Sequence, residues 1–170
     1  MKIDIIQGDI THEKTDAIVN AANPALAGGG GVDGAIHRAA GYDLYEECRQ
    51  IVHKTGECKP GFAVLTKGYN LLCRYIIHAV GPVWRGGNNG EEEILLNCYR
   101  NILALAIETG IKSIAIPNIS TGIYGFPKKK AANIVGTYFK NPAEEQPSVE
   151  YIRFVCFDEE NYLLYKNEFA

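Results

Sequence analysis

The sequence predicts a three-layer α/β/α domain around a mixed, largely parallel central sheet of about six strands. The alternation of strand-like and helical segments supports this fold class. Short apolar runs rich in Ile and Val alternate with helical patterns along most of the chain, and parallel strands need helical crossovers of this kind. The chain has 170 residues and no internal repeat, so we expect a single domain over residues 1–170.

The individual elements follow from apolar periodicity, taken in chain order. Runs bounded by Gly, Pro or Asn predict buried strands at residues 3–6, 17–19, 62–65, 75–80, 114–116 and 152–157. Helical spacing predicts helices at residues 34–40, 44–54, 91–109, 128–139 and 161–168, and residues 141–148 form a polar surface connection. Because ligands bind such sheets beyond the carboxyl ends of strands, the loops after Val19, Val80 and Ile116 are the first candidates for a site.

Composition narrows the functional classes. The net charge of −3 and pI near 5.8 disfavour a nucleic-acid-binding domain, which usually needs a basic face. The run Lys128 to Lys130 is interpreted as the solvated start of a helix, with phosphate contact as the alternative. The chain has no leader-like segment and no apolar run of about eighteen residues. We therefore expect a cytoplasmic protein that does not span a membrane.

The cysteines do not suggest a disulfide framework or a metal site. Five cysteines, an odd number, occur without a C-x-x-C pair. They are predicted to be buried, reduced thiols.

The loop after the second strand contains four consecutive glycines, Gly28 to Gly31. A strand, a glycine loop and a helix in that order form an anion site suited to phosphate. The pattern is neither a Walker loop nor the G-x-G-x-x-G of dinucleotide folds, and a plain flexible loop is the alternative. Asp33 is predicted to cap a helix that begins near Gly34, which would keep it ionised and able to orient or deprotonate water beside a bound sugar.

Asn20 and Asn23 precede the glycines in the same loop. Both are typical of a turn before Pro24. Alternatively, Asn23 offers its side-chain amide to a ribose hydroxyl.

A second loop, residues 116–127, also joins a predicted strand to a predicted helix. Ser120, Thr121 and Gly122 supply small residues and unpaired N–H groups that favour phosphate. Tyr124 or Phe126 can close over a sugar or a base. A merely tight connection is the alternative.

Residues near the two ends of the chain are weaker candidates. Asp9 can accept a hydrogen bond from an adenine amino group, or form a turn or helix cap. Phe157 can stack on a purine, although such an aromatic is more often part of the core. We expect His78 to be a core or loop-supporting histidine, and His37 to make a structural contact.

Taken together, these segments resemble the macrodomain family, in particular its MacroD-type branch of ADP-ribosyl hydrolases. The matching strings are G-D-I-T from Gly8, A-I-V-N-A-A-N from Ala17, G-G-G-G-V-D-G-A-I-H-R-A-A-G from Gly28, H-A-V-G-P-V-W from His78, I-S-T-G-I-Y-G-F-P from Ile119 and V-C-F-D from Val155. The resemblance spans nearly the whole chain. The departures are small: Ile123 stands where Val is frequent, and the connection at residues 141–148 is short.

The resemblance implies roles for individual residues. Asp9 and Ile10 receive adenine and Phe157 stacks on it, the loops at residues 31–34 and 120–124 wrap the diphosphate, and Asn23 and Asp33 face the distal ribose. The predicted catalytic residues are Asp33 and Asn23; the predicted substrate-binding residues are Asp9, Ile10, Asn20, Gly30, Gly31, Val32, Gly34, Ser120, Thr121, Gly122, Ile123, Tyr124 and Phe157.

The resemblance also implies hydrolysis of ADP-ribose esters, namely O-acetyl-ADP-ribose and mono-ADP-ribose on acidic side chains of proteins. The partners are then ADP-ribose, its esters and mono-ADP-ribosylated proteins, without nucleic acid or membrane, and the expected state is a monomer. Zinc-dependent members carry extra Cys and His in the first loop. This chain has neither between Asn20 and Ile36, so we expect no metal and no cofactor. The alternative function is a reader module that binds ADP-ribose without catalysis.

Overall fold

A computed structural model describes residues 1–141 and 148–170 of the chain. The strands within these residues are β1 (Lys2–Gln7), β2 (Ala17–Ala22), β3 (Ala63–Lys67), β4 (Tyr75–Val80), β5 (Ser113–Pro117) and β6 (Tyr151–Cys156). The helices are α1 (Gly31–Ala40), α2 (Tyr42–Thr55), α3 (Glu91–Thr109), α4 (Lys128–Lys140) and α5 (Glu159–Glu168), and a short 3-10 turn covers Ile10–His12.

The six strands form one sheet in the order β1-β6-β5-β2-β4-β3. Every neighbouring pair is parallel except β3 with β4, which is antiparallel. The predicted mixed, largely parallel sheet is therefore confirmed. The carboxyl ends of β2, β4 and β5 lie side by side at one edge of the sheet, where the loops singled out in the sequence meet.

Helices cover both faces of the sheet and complete the three layers. Alternating residues of β4 show the division: Ile76 and Val80 pack toward α1 and α2, whereas Ile77 and Ala79 pack toward α3, α4 and α5. Among the described helices, none is long and apolar enough to cross a bilayer. All five cysteines are free and buried, as predicted.

Two boundaries differ from the prediction in ways that matter for the site. Helix α1 begins at Gly31 with Gly30 as its N-cap, and the Gly34 amide donates to the Gly30 carbonyl at 3.2 Å. Asp33 thus lies within the first turn, and its predicted role as the helix cap was wrong, because an extended glycine takes that position. Asn20 lies inside β2, in register with His78 of β4, rather than in a turn.

Other differences are smaller. Strand β6 ends at Cys156, so Phe157 lies just beyond it. Lys128 begins α4, which confirms the solvated helix start, and its ammonium is 3.0 Å from a Glu160 carboxylate oxygen. Of the predicted connection at residues 141–148, residues 142–147 lie outside the described part of the chain.

Candidate active site

A cleft lies at the carboxyl ends of β2, β4 and β5, where the glycine loop faces the loop after β5. Its lining residues are Ala21, Ala22, Asn23, Gly29, Gly30, Gly31, Val32, Asp33, Gly81, Asn118, Ile119, Ser120, Gly122, Ile123 and Tyr124. Of these, the predicted site residues are Asn23, Gly30, Gly31, Val32, Asp33, Ser120, Gly122, Ile123 and Tyr124. The structure thus brings both predicted catalytic residues and both predicted phosphate loops to one cleft.

Asn23 braces the glycine loop. Its side-chain amide donates to the Gly28 carbonyl at 2.8 Å, and its side-chain oxygen accepts from the Ala27 amide at 3.2 Å. Gly34 holds the other end of the loop, because a Cβ there would collide with the Gly29 carbonyl oxygen. The loop therefore packs closely against the start of α1, whose first amides lack helical partners and favour an anion.

Asp33 is a buried carboxyl group at the wall of the cleft. Only 7% of the residue is exposed, and its Oδ1 accepts a hydrogen bond from the Asn20 amide nitrogen at 2.8 Å. The Nε2 of His37, one helical turn along α1, lies 3.5 Å from the same oxygen. Gly29 borders the other carboxylate oxygen, since a Cβ on Gly29 would be 3.6 Å from Asp33 Oδ2.

The surroundings set the protonation of Asp33. Burial raises its pKa above the ordinary value, and the Asn20 hydrogen bond and the neighbouring His37 oppose that rise. A carboxyl group with a raised pKa at the edge of a cleft is suited to taking a proton from water. His37 makes a structural contact, as expected, and its partner is the candidate catalytic carboxyl group.

The loop after β5 forms the opposite wall. Ser120 adopts a left-handed backbone conformation with φ of 66°, and its carbonyl accepts from the Phe126 amide at 2.9 Å. The Tyr124 carbonyl accepts from the Trp84 amide at 2.8 Å, and the Trp84 ring packs against Phe126 with centroids 4.8 Å apart. The turn between Ser120 and Phe126 is thus closed on itself and fixed to the segment after β4. A strained non-glycine residue of this kind is common at ligand sites.

The predicted adenine residues lie at the neighbouring carboxyl ends of β1 and β6. Asp9 Oδ1 accepts from the amide and hydroxyl of Thr11, at 2.9 and 2.6 Å, and these bonds lower the Asp9 pKa. Ile10 is buried, whereas Phe157 is 81% exposed. The core interpretation of Phe157 was wrong, and its ring is free to take a flat ligand.

Several predicted residues do not line the cleft itself. They are Asp9, Ile10, Asn20, Gly34, Thr121 and Phe157. Asn20 is fully buried beneath Asp33, and Gly34 acts through its close approach to the glycine loop.

The cleft also contains Gly29, from the predicted glycine loop, and residues that the sequence reasoning missed: Ala21, Ala22, Gly81, Asn118 and Ile119. Gly81 carried a usable signal, since it follows the apolar run of β4 directly. A Cβ at Gly81 would collide with the Ser120 hydroxyl. Glycine is therefore required there for the loop after β5 to approach β4.

Within the described residues, His37, Cys48 and His78 form a cluster whose potential metal-ligand atoms lie within 4.8 Å of one another. Both His78 ring nitrogens are already engaged, one by Asn20 at 3.0 Å and one by Thr66 at 2.9 Å. Burial raises the pKa of the Cys48 thiol to about 12. The cluster is better described as buried polar packing than as a metal centre.

The fold and the cleft place the chain in a class of α/β proteins with a loop-lined cleft, suited to anionic ligands, at the carboxyl ends of parallel strands. Comparison with known proteins identifies the family. The sequence profile described as "Macro domain" matches residues 19–135, more than half of the chain. The chain therefore belongs to the macro domain family.

Individual relatives agree with this assignment. The chain is 51% identical over 165 residues to an O-acetyl-ADP-ribose deacetylase of Cronobacter turicensis, covering 97% of this chain and 94% of the relative. The structure of the Oceanobacillus iheyensis macrodomain with ADP matches at 42% identity and a TM-score of 0.90, over 96% of this chain and 87% of that one. The Trypanosoma brucei macrodomain in complex with ADP-ribose matches at 42% identity and a TM-score of 0.86, over 97% and 68%.

Proposed function

We propose that this chain is a metal-independent hydrolase of ADP-ribose esters, which deacetylates O-acetyl-ADP-ribose and removes mono-ADP-ribose from acidic side chains of proteins. The observation that carries the proposal is the Asp33 carboxyl group, buried at the wall of a cleft between two loops suited to phosphate. The named deacetylase at 51% identity and the macrodomain bound to ADP-ribose support the substrate class.

The ligand is proposed to run across the carboxyl edge of the sheet. Its diphosphate lies between the start of α1 and the turn from Ser120 to Tyr124. Its adenine lies at the ends of β1 and β6, with Phe157 as the stacking surface and Asp9 as acceptor for the amino group. Its distal ribose then reaches Asn23 and Asp33.

In the proposed reaction, Asp33 orients a water molecule and accepts its proton, or shares that proton with a substrate phosphate oxygen. For O-acetyl-ADP-ribose the water oxygen bonds to the acetyl carbon, the ester C–O bond breaks, and the ribose oxygen takes up a proton. For an ADP-ribosylated carboxyl group, the water oxygen bonds instead to the anomeric carbon, the bond from that carbon to the carboxyl oxygen breaks, and the protein carboxylate leaves. Asn23 holds the glycine loop that positions the ribose.

The test combines binding and turnover. Titration calorimetry with ADP-ribose is run beside product assays on O-acetyl-ADP-ribose and on a protein ADP-ribosylated at acidic residues, for wild type, Asp33→Ala and Asp43→Ala. Asp43 is a matched control because it is also an acid in the first turn of a helix, α2, but does not line the cleft. We expect Asp33→Ala to lose turnover much more than affinity, and Asp43→Ala to keep both.

Other outcomes decide against the proposal. Binding without turnover in wild type makes the chain a reader module. Equal losses of binding and turnover in Asp33→Ala refute its catalytic role. An absence of ADP-ribose binding overturns the ligand assignment altogether.

The monomeric state and the single domain over residues 1–170 are part of the same proposal. Sedimentation equilibrium with and without ADP-ribose tests the first. A single cooperative unfolding transition tests the second.

A further inference from the structure

Four hydrogen-bonded polar side chains form a row, or file, beneath the cleft, on the side of the sheet that α1 and α2 cover. It runs from Thr66 of β3 through His78 of β4 and Asn20 of β2 to Asp33 of α1. These residues are 2%, 0%, 0% and 7% exposed, respectively. Because an apolar core is the ordinary neighbour of a parallel sheet, four linked polar groups at this depth require an explanation.

The hydrogen-bond directions in the file follow from an ionised Asp33 carboxylate. Asn20 Nδ2 lies 2.8 Å from Asp33 Oδ1 and 3.0 Å from His78 Nδ1. An ionised carboxylate only accepts, so the amide nitrogen donates to it, and the second amide hydrogen points to Nδ1. Nδ1 is therefore the unprotonated ring nitrogen of His78, and the ring proton is on Nε2.

Thr66 completes this order at the far end. His78 Nε2 lies 2.9 Å from the Thr66 hydroxyl oxygen, which accepts the ring proton. The Thr66 hydroxyl in turn donates to the Lys67 carbonyl at 3.1 Å. With its proton directed to Lys67, the Thr66 oxygen accepts from Nε2–H, which is the same tautomer that the Asn20 amide requires.

We propose that His78 and Thr66 are positioning residues for the hydrolysis, which act through Asn20 to hold the Asp33 carboxylate in place at the wall of the cleft. The inference rests on the proposed function, in which Asp33 is the reacting group. If the His78 ring proton moved to Nδ1, the Asn20 amide would turn over and place its oxygen against the Asp33 carboxylate. The repulsion would favour a protonated Asp33, which cannot accept a proton from water.

The electrostatic setting supports this role. Burial raises the pKa of Asp33, and the Asn20 hydrogen bond is the largest effect that opposes the rise. The other titratable groups that face Asp33 are His37 on α1 and Cys48 on α2. Burial also lowers the pKa of His78 to about 3, so that the ring stays neutral at physiological pH and serves as a fixed acceptor rather than a proton carrier.

Four variants separate positioning from folding. Thr66→Val removes the acceptor for the ring proton at nearly constant volume, and His78→Gln keeps a contact toward Thr66 but removes the acceptor for Asn20. Ile76→Val is the matched control, because Ile76 is fully buried on the same strand and face as His78. Thr66→Ser retains the hydroxyl and should restore most of the turnover lost in Thr66→Val.

The kinetic readout is kcat on O-acetyl-ADP-ribose against pH, beside the affinity for ADP-ribose. In Thr66→Val and His78→Gln we expect kcat at neutral pH to fall by about tenfold or more, because a displaced Asn20 amide would weaken its hydrogen bond to the charged Asp33 carboxylate. The affinity should stay within about twofold of wild type. The acid limb of the kcat profile should move to higher pH, whereas Ile76→Val should leave the profile in place.

A second readout does not need turnover. Long-range ¹⁵N–¹H spectra of the wild type should show His78 as the neutral Nε2–H tautomer, and the ¹³C resonance of the Asp33 carboxyl group should titrate at higher pH in Thr66→Val. An Nδ1–H tautomer in wild type, or an unchanged Asp33 titration, would overturn the inference. So would a fall in kcat with an unshifted pH profile, which marks a purely structural role.

These readouts also keep the inference separate from the proposed function. If the wild type binds ADP-ribose but hydrolyses nothing, the proposed function fails. Even then, the tautomer of His78 and the titration of Asp33 show whether the file holds the Asp33 carboxylate in place.

Discussion

Lowering the pH should destabilise this fold, and the contribution of His78 to that loss should be large enough to measure. Burial lowers the pKa of His78 from 6.5 to about 3, whereas the unfolded chain keeps the ordinary value. Between these two pH values the unfolded state binds a proton that the folded state does not. Stability from this group is therefore fully present above about pH 6.5 and is lost at about 1.4 kcal/mol per pH unit below it. From pH 7 to pH 5 the loss is about 2 kcal/mol.

The assay is urea unfolding followed by circular dichroism at pH 7 and pH 5. His78→Gln should be less stable than wild type at pH 7, because its buried hydrogen bonds are disturbed, but it should lose about 2 kcal/mol less on acidification. His53→Gln, on the exposed surface of α2, should lose as much as wild type. If His78→Gln shows the same pH difference as wild type, His78 is not the buried neutral group described here.

Three further predictions concern the cleft. Gly34→Ala places a Cβ against the Gly29 carbonyl oxygen, so we expect a lower melting temperature and about a tenfold weaker affinity for ADP-ribose by calorimetry. The control is Gly30→Ala, which should keep the melting temperature because its Cβ meets nothing within 4 Å. Equal melting temperatures in the two variants would contradict the clash. Gly122→Glu also meets open space, so it should fold normally but repel the diphosphate, and unchanged affinity would remove that loop from the site. Phe157→Ala should leave stability intact, because the ring is 81% exposed, and should weaken the affinity for ADP-ribose by about tenfold through lost stacking. An equal loss of affinity for pyrophosphate would argue against adenine at that position.

Much of the fold was accessible from the sequence because the strands are short runs of β-branched residues between turn formers. Residues 75–80 and 91–109 were predicted with the bounds that the structure shows. The order of the strands was not predicted, since pairing depends on contacts between segments far apart in the chain. The start of α1 was misplaced because glycine, a poor helix former, begins that helix after an extended Gly30.

The loops of the candidate site could be predicted from the sequence, but the buried residues beneath them could not. Asp33 and the glycine run are recognisable in the sequence because aspartate and consecutive glycines have known local roles, at the start of a helix or in an anion site. The link from Asn20 to His78 depends on the register of β2 with β4, which no local pattern encodes. For that reason Asn20 was assigned to the substrate, although it lies fully buried below the cleft.

The two walls of the cleft come from distant parts of the chain, and this has a consequence for how a ligand affects the whole protein. Asn23 follows β2 and Ser120 follows β5, and the walls meet only because these strands are neighbours in the sheet. A partly folded chain with only one of the strands in place has half a site and little affinity. Ligand binding is therefore linked to global unfolding rather than to local opening, and it adds RT ln(1 + [L]/Kd) to the stability of the entire sheet. The slowest-exchanging amides of β2 and β5 should then report occupancy of the cleft, including amides at the ends of these strands that lie away from it.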